Sequence, residues 1–337
     1  MIDVESLSFS YVSELTGDRV EALRGVDVSA RPGTLTLVCG SSGCGKSTLM
    51  RALTGLVPQM TPGELEGVVR INGRDLAEVS LTEVGHLCSS VFQNPRTQFF
   101  CDTVAEELAF CGENYGRDRE ALIESSERAA DLMGIAHLMD RKLSTLSGGQ
   151  LQKVALSCAL ASGAPVLLAD EPTSNLDPDA IADVRRALAI LKDQGMTIIV
   201  VEHRLHFLRG LADQVLLMEG GTITRRWTGE EFYSLDDAQR RSLGLRTLVD
   251  PGPPEAWVHS RGTRAKAAAG GDGRLSCRDL SFSYGNAPVF DGLDVDFPAG
   301  QITCIAGENG AGKTTLVRVL CGLADPGSGT ITLDGQE

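Results

Sequence analysis

The stretch Thr34-Leu-Thr-Leu-Val-Cys-Gly40-Ser-Ser-Gly-Cys-Gly-Lys46-Ser47 decides the fold of the first part of this 337-residue chain. Its apolar beginning predicts a buried strand, and the residues from Lys46 to Leu56 predict a helix. A glycine-rich turn between a strand and a helix, ending in Lys-Ser, is the pattern of a phosphate-binding loop (P-loop). In such a loop the backbone N–H groups and the positive end of the helix bind phosphate oxygens. The candidate phosphate-binding residues are Gly40, Ser41, Ser42, Gly43, Cys44, Gly45, Lys46, Ser47 and Thr48.

Three side chains of this loop have distinct predicted roles. Lys46 would contact the β- and γ-phosphates of ATP, and Ser47 would ligate Mg²⁺. Cys44 lies two residues before Lys46. A bulky adduct there would crowd the phosphates, and helix N-termini tend to lower the pKa of a thiol. We therefore expect thiol reagents to inhibit ATP binding and ATP to protect the chain.

The rest of the first half alternates between strand and helix patterns, which indicates an α/β fold. Pro165–Asp170 and Thr197–Glu202 are short, continuous apolar runs typical of parallel strands that are covered on both faces. Ala180 to Leu191 predicts a helix. About residues 102–163 carry no strand-like run, and Thr103 begins a capping box. We interpret that stretch as a helical insertion.

An internal repeat organises the chain. Leu7-Ser-Phe-Ser-Tyr11 returns as Leu280-Ser-Phe-Ser-Tyr284, and the P-loop returns as Gly307-Glu-Asn-Gly-Ala-Gly-Lys313-Thr314. The intervening stretch is rich in Pro, Gly and Ala, which is typical of a linker. The predicted organisation is a complete domain over 1–245, a flexible linker over 246–273, and the N-terminal portion of a second copy over 274–337. Candidate nucleotide-binding residues of that copy are Tyr284, Gly307, Asn309, Gly310, Gly312, Lys313, Thr314 and Thr315.

Composition limits the classes of function. The net charge of −14 opposes extensive contact with nucleic-acid phosphates. No apolar stretch approaches the length that spans a bilayer, so a membrane role would depend on a partner. The nine cysteines form no Cys-x-x-Cys pair and lie mostly in apolar runs, so we interpret them as reduced core residues of a cytosolic protein.

Polar residues follow two of the predicted strands. Asp170 and Glu171 end one strand, at the sheet edge where open α/β sheets bind ligands. Asp170 would hold Mg²⁺ and Glu171 would polarise the attacking water, although Asp-Glu alone also fits a simple turn. His203 ends the next strand and would sense the γ-phosphate. A metal-binding pair of His203 and His206 is the alternative.

Kinases and GTPases share these features. This chain is distinguished from them by the stretch Leu146-Ser147-Gly148-Gly149-Gln150. A serine and two glycines at a helix N-terminus form a second anion-binding site, although they also fit a simple helix cap. The five residues match the signature motif of the ABC ATPase family, which the chain resembles over about residues 1–225. The resemblance implies a P-loop NTPase fold, the ABC nucleotide-binding domain with a helical subdomain, and a transport-coupled ATPase.

The resemblance also assigns roles to further residues. Tyr11 resembles the aromatic residue that stacks on adenine, and Gln93 the glutamine that links the Mg²⁺ site to the transmembrane partner. Ser174-Asn-Leu-Asp177 resembles the loop that crosses between paired domains. In this family two domains sandwich ATP between the P-loop of one and the signature motif of the other. The implied partner is a second ABC domain, either in the same chain when complete or in a homodimer, with ATP and Mg²⁺ as cofactors.

Three stretches resemble a narrower group, the fused two-cassette ATPases of energy-coupling-factor (ECF) transporters. They are the glutamine loop Val91-Phe-Gln93-Asn-Pro95-Arg-Thr-Gln98-Phe99, the stretch Glu171-Pro-Thr-Ser-Asn-Leu-Asp-Pro178, and Val201-Glu-His-Arg204. The resemblance implies uptake of a vitamin or a transition-metal ion through a transmembrane scaffold subunit and a membrane substrate-binding subunit. It also implies a location at the cytoplasmic face of the cell membrane, peripheral through those partners, and no nucleic-acid partner.

Two other functions remain open, a soluble two-cassette ATPase that acts on ribosomes or nucleic acid, and a fragment that binds nucleotide without hydrolysis. The acidic composition and the short linker favour transport over the first of these. The second copy ends before any counterpart of the glutamine loop, of the signature motif, of Asp170-Glu171 or of His203. We expect that copy to be a truncated gene product or to be poorly folded, because it would leave strand edges and apolar faces uncovered.

Overall fold

The computed structural model describes residues 1–13, 16–174, 176–248, 274–285, 287–307 and 310–336. They belong to two compact units, Met1–Leu248 and Val249–Glu337. Most of the linker predicted over 246–273 lies outside the described residues, as does Asn309. None of the helices in the described ranges is long and apolar enough to cross a membrane.

The first unit combines two sheets with helices. Its described strands are β1 (Ile2–Val12), β2 (Arg19–Ala30), β3 (Leu35–Cys39), β4 (Gly63–Ile71), β5 (Arg74–Asp75), β6 (Cys88–Val91), β7 (Val166–Asp170), β8 (Thr197–Val201), β9 (Gln214–Glu219) and β10 (Thr222–Thr228). Its described helices are α1 (Lys46–Leu53), α2 (Leu56–Gln59), α3 (Leu81–Leu87), α4 (Val104–Asn114), α5 (Arg119–Leu132), α6 (Gly148–Ser162), α7 (Pro178–Asp193), α8 (Gly229–Ser234) and α9 (Asp237–Ser242).

The larger sheet has the strand order β10-β9-β3-β8-β7-β6, and the smaller, antiparallel sheet has the order β2-β1-β4-β5. In the larger sheet β3 pairs in parallel with both β8 and β9, so that Leu37 lies opposite Val200 and Val215. Strand β7 pairs in parallel with β8. Because parallel strands end at the same edge, the segments that follow β3, β7 and β8 meet there. This edge carries the candidate site.

The central strands are buried on both faces, as their continuous apolar sequence predicts. Leu35, Leu37 and Cys39 of β3 belong to one hydrophobic cluster, with the helices α4 to α7. Val38 belongs to the other, which fills the space between the two sheets and α1. Burial of the whole strand fixes the position of the P-loop that leaves its end.

The predicted helical insertion over 102–163 is confirmed. Helices α4, α5 and α6 lie within it, and Thr103 and Glu106 form the predicted capping box at the start of α4. Helix α6 packs against α4, α5 and α7. The signature motif at the start of α6 is therefore attached to a helical layer and lies outside the larger sheet.

The prediction of one helix from Lys46 to Leu56 is wrong at its end. Helix α1 stops at Leu53, and Gly55 adopts a left-handed φ of +71° before the short α2. The hydroxyl of Thr54 donates to the carbonyls of Met50 and Arg51, 3.1 and 2.9 Å away. Glycine in the left-handed region ends helices because other residues are strained there. Helix α7 begins at Pro178, which together with Asp179 was predicted at its start, and it extends past the predicted end at Leu191 to Asp193.

The second unit contains a three-stranded antiparallel sheet of order β12-β11-β13 and a helix. Its elements are β11 (Arg274–Tyr284), β12 (Ala287–Pro298), α10 (Lys313–Leu320) and β13 (Ser328–Leu333). Cys277, Leu280, Leu316 and Val319 are buried between them. Residues 302–306, which repeat the sequence of β3, form no strand, and the side chain of Ile302 is fully exposed. Apolar side chains are thus uncovered, as expected, whereas poor folding of this copy stays a prediction.

Candidate active site

The P-loop connects β3 to α1 through glycines that no other residue could replace without movement. Gly40 has a φ of +151°, and a Cβ there would lie 2.1 Å from the carbonyl oxygen of Met218. At Gly45, where φ is +105°, a Cβ would lie 2.6 Å from the carbonyl oxygen of Ala22. Such contacts and dihedral angles are accessible only to glycine. The loop is therefore closely packed against β9 and β2 and has one shape.

Lys46 lies across the P-loop. Its side chain is only 5% exposed, and its Nζ donates hydrogen bonds to the carbonyls of Gly40 (3.0 Å) and Ser41 (2.8 Å). The Sγ of Cys44 is 3.7 Å from the same nitrogen. A buried ammonium needs such partners because desolvation is costly. The positive charge is therefore held inside the loop, where the sequence predicts phosphate.

Asp170 ends β7 beside α1 and is mostly buried. Its Oδ1 is buried without a hydrogen-bond partner. Burial raises the pKa of the Asp170 carboxyl and the neighbouring Glu171 charge raises it further, while a hydrogen bond from Ser47 and the charges of Lys46 and Arg51 lower it. An orphaned carboxylate oxygen beside a serine hydroxyl offers two of the hard oxygen ligands that Mg²⁺ prefers. The residues present therefore fit this metal.

Magnesium bound here would take its other ligands from outside the protein. Among the residues that the structure describes, no group of three or more His, Cys, Asp or Glu side chains could hold a metal ion. Mg²⁺ is commonly bound by one or two carboxylates together with substrate phosphates and water. The single pair of Asp170 and Ser47 therefore suits a metal that arrives with a nucleotide.

Glu171 is the centre of a hydrogen-bond cluster. Its Oε2 accepts from Gln93 Nε2 at 3.2 Å and from the Ser174 hydroxyl at 3.0 Å. Its Oε1 lies 3.2 Å from the Nε2 of His203. Glu171 adopts a left-handed φ of +47°, held by a bond of 2.8 Å from its backbone N–H to the carbonyl of Val201. Non-glycine residues rarely adopt such angles, and those that do are concentrated at functional sites.

The cluster brings together three segments that are far apart in sequence, the loops after β6, β7 and β8. Gln93, Glu171 and His203 were each predicted site residues, and the structure places Gln93 and His203 each in contact with Glu171. A carboxylate surrounded by an amide, a hydroxyl and an imidazole can accept a proton from water. The geometry is therefore suited to activating water beside the phosphate-binding loop.

Tyr11 is tied to the helix that follows the P-loop. Its hydroxyl lies 3.1 Å from the Thr48 hydroxyl, and Arg51 donates to it from 3.4 Å. The ring meets that of Phe9 edge-on, with centroids 4.9 Å apart. Tyr11 thus lies at the P-loop, where a stacking role for its ring stays a prediction.

The signature residues are arranged as a helix cap. Ser147 caps α6, and it exchanges hydrogen bonds with Gln150 in a capping box. Gly148 is exposed, and a Cβ at Gly149 would lie 2.7 Å from the Cβ of Ala180 on α7. The hydrogen bonds that the described residues 147–150 make through their side chains stay within this cap. Among the described residues, the side chains of the signature motif therefore make no hydrogen bond to the P-loop of the first unit.

Asp177, the last predicted residue of the crossing loop, caps the neighbouring helix. Its Oδ1 accepts from the backbone N–H of Ala180 at 2.9 Å, at the start of α7. Asn175, within the same loop, lies outside the described residues. Asp177 therefore has a structural role in addition to the predicted nucleotide-related one.

The described residues of the second P-loop have a similar local form. Lys313 Nζ donates to the Gly307 carbonyl at 2.6 Å, and Gly310 and Gly312 have φ values of +88° and +86°. Thr314 is exposed, whereas Thr315 is buried. Tyr284 is 53% exposed and contacts Phe282 edge-on at 4.9 Å. The described residues of this unit contain no group of three or more His, Cys, Asp or Glu side chains that could hold a metal ion.

Sequence reasoning placed Ser174 in the crossing loop without a contact to Glu171, and it gave Arg96 no role of its own. Ser174 bonds Glu171 directly, and its position three residues after Glu171 in a turn was the available signal. Arg96 donates to the carbonyl of Leu146 at 3.3 Å and so joins the Gln93 loop to the first residue of the signature motif. That contact is between distant segments, so no local pattern could reveal it.

The family described as ABC transporter matches residues 23–174 and 290–337. The chain belongs to the ABC transporter ATP-binding family. This family membership makes it an ATP-binding and ATP-hydrolysing transporter subunit, with the expected P-loop fold. The matched residues include Gln93, Glu171 and Ser174 of the cluster described above.

Several proteins are similar in sequence to this ABC ATPase. It is 34% and 36% identical to two proteins of Treponema denticola, whose assignment as ABC transporter ATP-binding proteins is itself inferred. The matches cover all of this chain and 67% and 68% of theirs. A further protein so assigned, from Methanosarcina acetivorans, is 33% identical, and the match covers 61% of its length.

Solved structures of ABC ATPases have a similar fold. CbiO1 from Clostridium perfringens, described as part of the ABC transporter complex CbiONQ, has a TM-score of 0.62 and 26% identity. The alignment covers 73% of this chain and 94% of that one. A nucleotide-free ATP-binding cassette gives a TM-score of 0.61 and 27% identity, with 73% and 99% coverage.

Proposed function

We propose that this ABC ATPase binds ATP with Mg²⁺ and powers ECF-type uptake of a vitamin or a transition-metal ion. Lys46 and the P-loop backbone would hold the phosphates, Ser47, Asp170 and the nearby Gln93 would hold Mg²⁺, and Glu171 would accept the proton of the attacking water. The observation that carries the catalytic part is the contact of Glu171 with Gln93, Ser174 and His203. Bound Mg²⁺ would supply charge neutralisation at the β- and γ-phosphates.

A second ABC domain would complete the site. The signature residues Ser147 and Gly148 are exposed at the start of α6. A helix N-terminus of this kind binds anions through its free N–H groups. We infer that it faces the nucleotide of a partner domain, in the complete protein or in a homodimer of this chain. ATP would then favour pairing, because only the closed pair contacts it from both sides.

A groove beside Gln93 supports a membrane partner. A cavity of about 500 Å³ lies between α1 and the glutamine loop and is lined by Ser47, Arg51, Phe92, Gln93, Thr97 and Asp170 among others. Phe92 and Phe100 at this loop are 42% and 75% exposed, and Phe100 stacks on Phe110 with centroids 5.1 Å apart. Exposed aromatic side chains next to a groove are typical of protein interaction sites.

The glutamine loop also connects this groove to the rest of the site. The second glutamine of the stretch, Gln98, accepts a hydrogen bond from the backbone N–H of Phe92 at 2.9 Å, and Arg96 donates to the carbonyl of Leu146, the first residue of the signature motif. Movement at the groove would therefore reach Glu171 through Gln93 and the signature through Arg96. The narrower ECF assignment is supported by these loop residues and by the likeness to CbiO1.

Purification of the tagged full-length protein from detergent-solubilised membranes of its host tests this function. We expect an integral scaffold protein and a small membrane protein that binds a vitamin or a metal ion to copurify, and ATP hydrolysis to drive uptake in proteoliposomes. The Phe92→Asp and Phe100→Asp variants should lose both membrane proteins, whereas Ile123→Asp, at an exposed apolar residue of α5, should keep them. Copurification with ribosomes, or with an importer that depends on a separate substrate-binding protein, would contradict the proposal.

A further inference from the structure

Glu202, the residue before His203, is a buried carboxylate outside the set of side chains that would touch ATP. It is only 2% exposed. Its Oε1 accepts from the backbone N–H of Thr173 at 3.0 Å and from the Thr173 hydroxyl. Its Oε2 accepts from the backbone N–H groups of His203 (2.8 Å) and Arg204 (3.0 Å). Burial of a carboxylate is costly unless hydrogen bonds compensate, and this one has four.

These hydrogen bonds join two loops of the candidate site. Thr173 lies two residues after Glu171 and is fully buried, whereas His203 and Arg204 follow β8. One oxygen of Glu202 binds each loop. The separation of the Glu171 and His203 backbones is therefore set by a side chain that contacts neither of their functional groups.

Arg204 adds a second connection between the same two loops. Its guanidinium donates to the carbonyl of Leu176 at 3.1 Å, at the far end of the loop that begins with Glu171. The loop from Glu171 to Asp177 is thus bonded at two points to the residues on either side of His203. The spacing leaves the imidazole itself free to contact Glu171 Oε1.

We propose that Glu202 is a positioning residue for ATP hydrolysis, which holds His203 and the Glu171 loop in register. The proposal rests on the proposed roles of Glu171 and His203. Replacement by glutamine would turn one oxygen into an NH₂ group that faces two donors, because all four groups around the carboxylate are donors. One of the two loops would then be released, and the water and its base would be misaligned while the P-loop stayed intact.

The test compares Glu202→Gln, His203→Ala and the double variant in steady-state ATP hydrolysis. We expect Glu202→Gln to lower kcat by about 10- to 50-fold with KM for ATP changed by less than about twofold. In the His203→Ala background the same change should cost less than about twofold, because the two residues act together. Ile199→Val, a buried change in the same strand, should lower the melting temperature with kcat kept.

Thr173→Val is a second variant that keeps Glu202 and removes one of its donors without changing size. We expect it to lower kcat by about 3- to 10-fold at unchanged KM, so the proposal can be tested even if Glu202→Gln does not fold. Wild-type kcat in Glu202→Gln or Thr173→Val, or effects of Glu202→Gln and His203→Ala that multiply, would overturn it. If Glu171→Gln is inactive in that case, only the role of Glu202 fails. If Glu171→Gln is also fully active, the proposed function fails as well.

Discussion

The described residues of the two P-loops have similar backbone angles. The first glycine has a φ of +151° in one and +156° in the other, and the last glycine has +105° and +86°. Lys46 and Lys313 each donate to the carbonyl of the first glycine, at 3.0 and 2.6 Å. The conformation of a P-loop is therefore local, because glycines at these positions and one lysine are enough to produce it.

The surroundings of the two loops differ. Leu35, which begins the strand before the first loop, is completely buried, whereas its counterpart Ile302 is fully exposed. The first loop lies beside Asp170, Glu171 and His203, which come from strands paired side by side, and the described part of the second unit contains no such set. The form of the described P-loop residues is therefore local, whereas the contact of Glu171 with His203 depends on neighbouring strands of one sheet.

The largest expected effect is at Glu171. Glu171→Gln should lower kcat by about 100-fold or more, since it removes the group that would accept the proton, while the Kd for ATP should change by less than about threefold. Steady-state hydrolysis and equilibrium nucleotide binding measure the two quantities. The matched control is Glu124→Gln on the surface of α5, which should behave as the wild type. A variant with normal hydrolysis would remove Glu171 from the mechanism.

A matched pair of lysine variants separates the two loops. Lys46→Ala should lower kcat/KM by about 100-fold, because the buried ammonium is lost from the site that contains Glu171. Lys313→Ala should change hydrolysis by less than about twofold. Equal losses of activity in the two variants would contradict the predicted difference between the two P-loops.

Much of the structure around the first P-loop could be predicted from the sequence. The strand, glycine-rich turn and helix around Lys46 were predicted because the pattern is local, and so was the helical insertion. The end of α1 was not, because a single glycine in a helical pattern does not show whether it adopts the left-handed φ that ends a helix, as Gly55 does. Contacts such as Arg96 with Leu146, or Glu202 with Thr173, join distant segments and depend on tertiary packing.

The effect of a substitution on stability should follow burial at the corresponding positions Leu35 and Ile302. Leu35→Ala should lower the free energy of unfolding of the first unit by about 3 kcal/mol, through lost apolar contact and a cavity. Ile302→Ala should change stability by less than about 0.5 kcal/mol, because its side chain is already in solvent. Urea unfolding of the two variants gives both values. Equal losses would show that residues 302–306 are in fact buried.

The smallest effect concerns thiol chemistry. Cys44 lies in the first P-loop and is only 5% exposed, whereas Cys304 and Cys321 are exposed and the second loop has Ala311 in the corresponding place. We expect a maleimide to label Cys304 and Cys321 first, and to label Cys44 several-fold more slowly and more slowly still with ATP. Peptide mapping follows each site, and Cys44→Ala should abolish the ATP-protected inhibition. If that variant is inhibited as strongly as the wild type, the prediction for Cys44 is wrong.

The central claim is that the first unit carries the hydrolytic site and that a partner domain completes it. Mg²⁺-dependent ATP hydrolysis per chain, measured across a range of protein concentrations, tests it most directly, with Lys46→Ala, Glu171→Gln and Lys313→Ala alongside. The account predicts activity that rises more steeply than linearly with concentration, is lost in the first two variants and survives in the third. Activity strictly proportional to concentration, or lost in Lys313→Ala as fully as in Lys46→Ala, would contradict it.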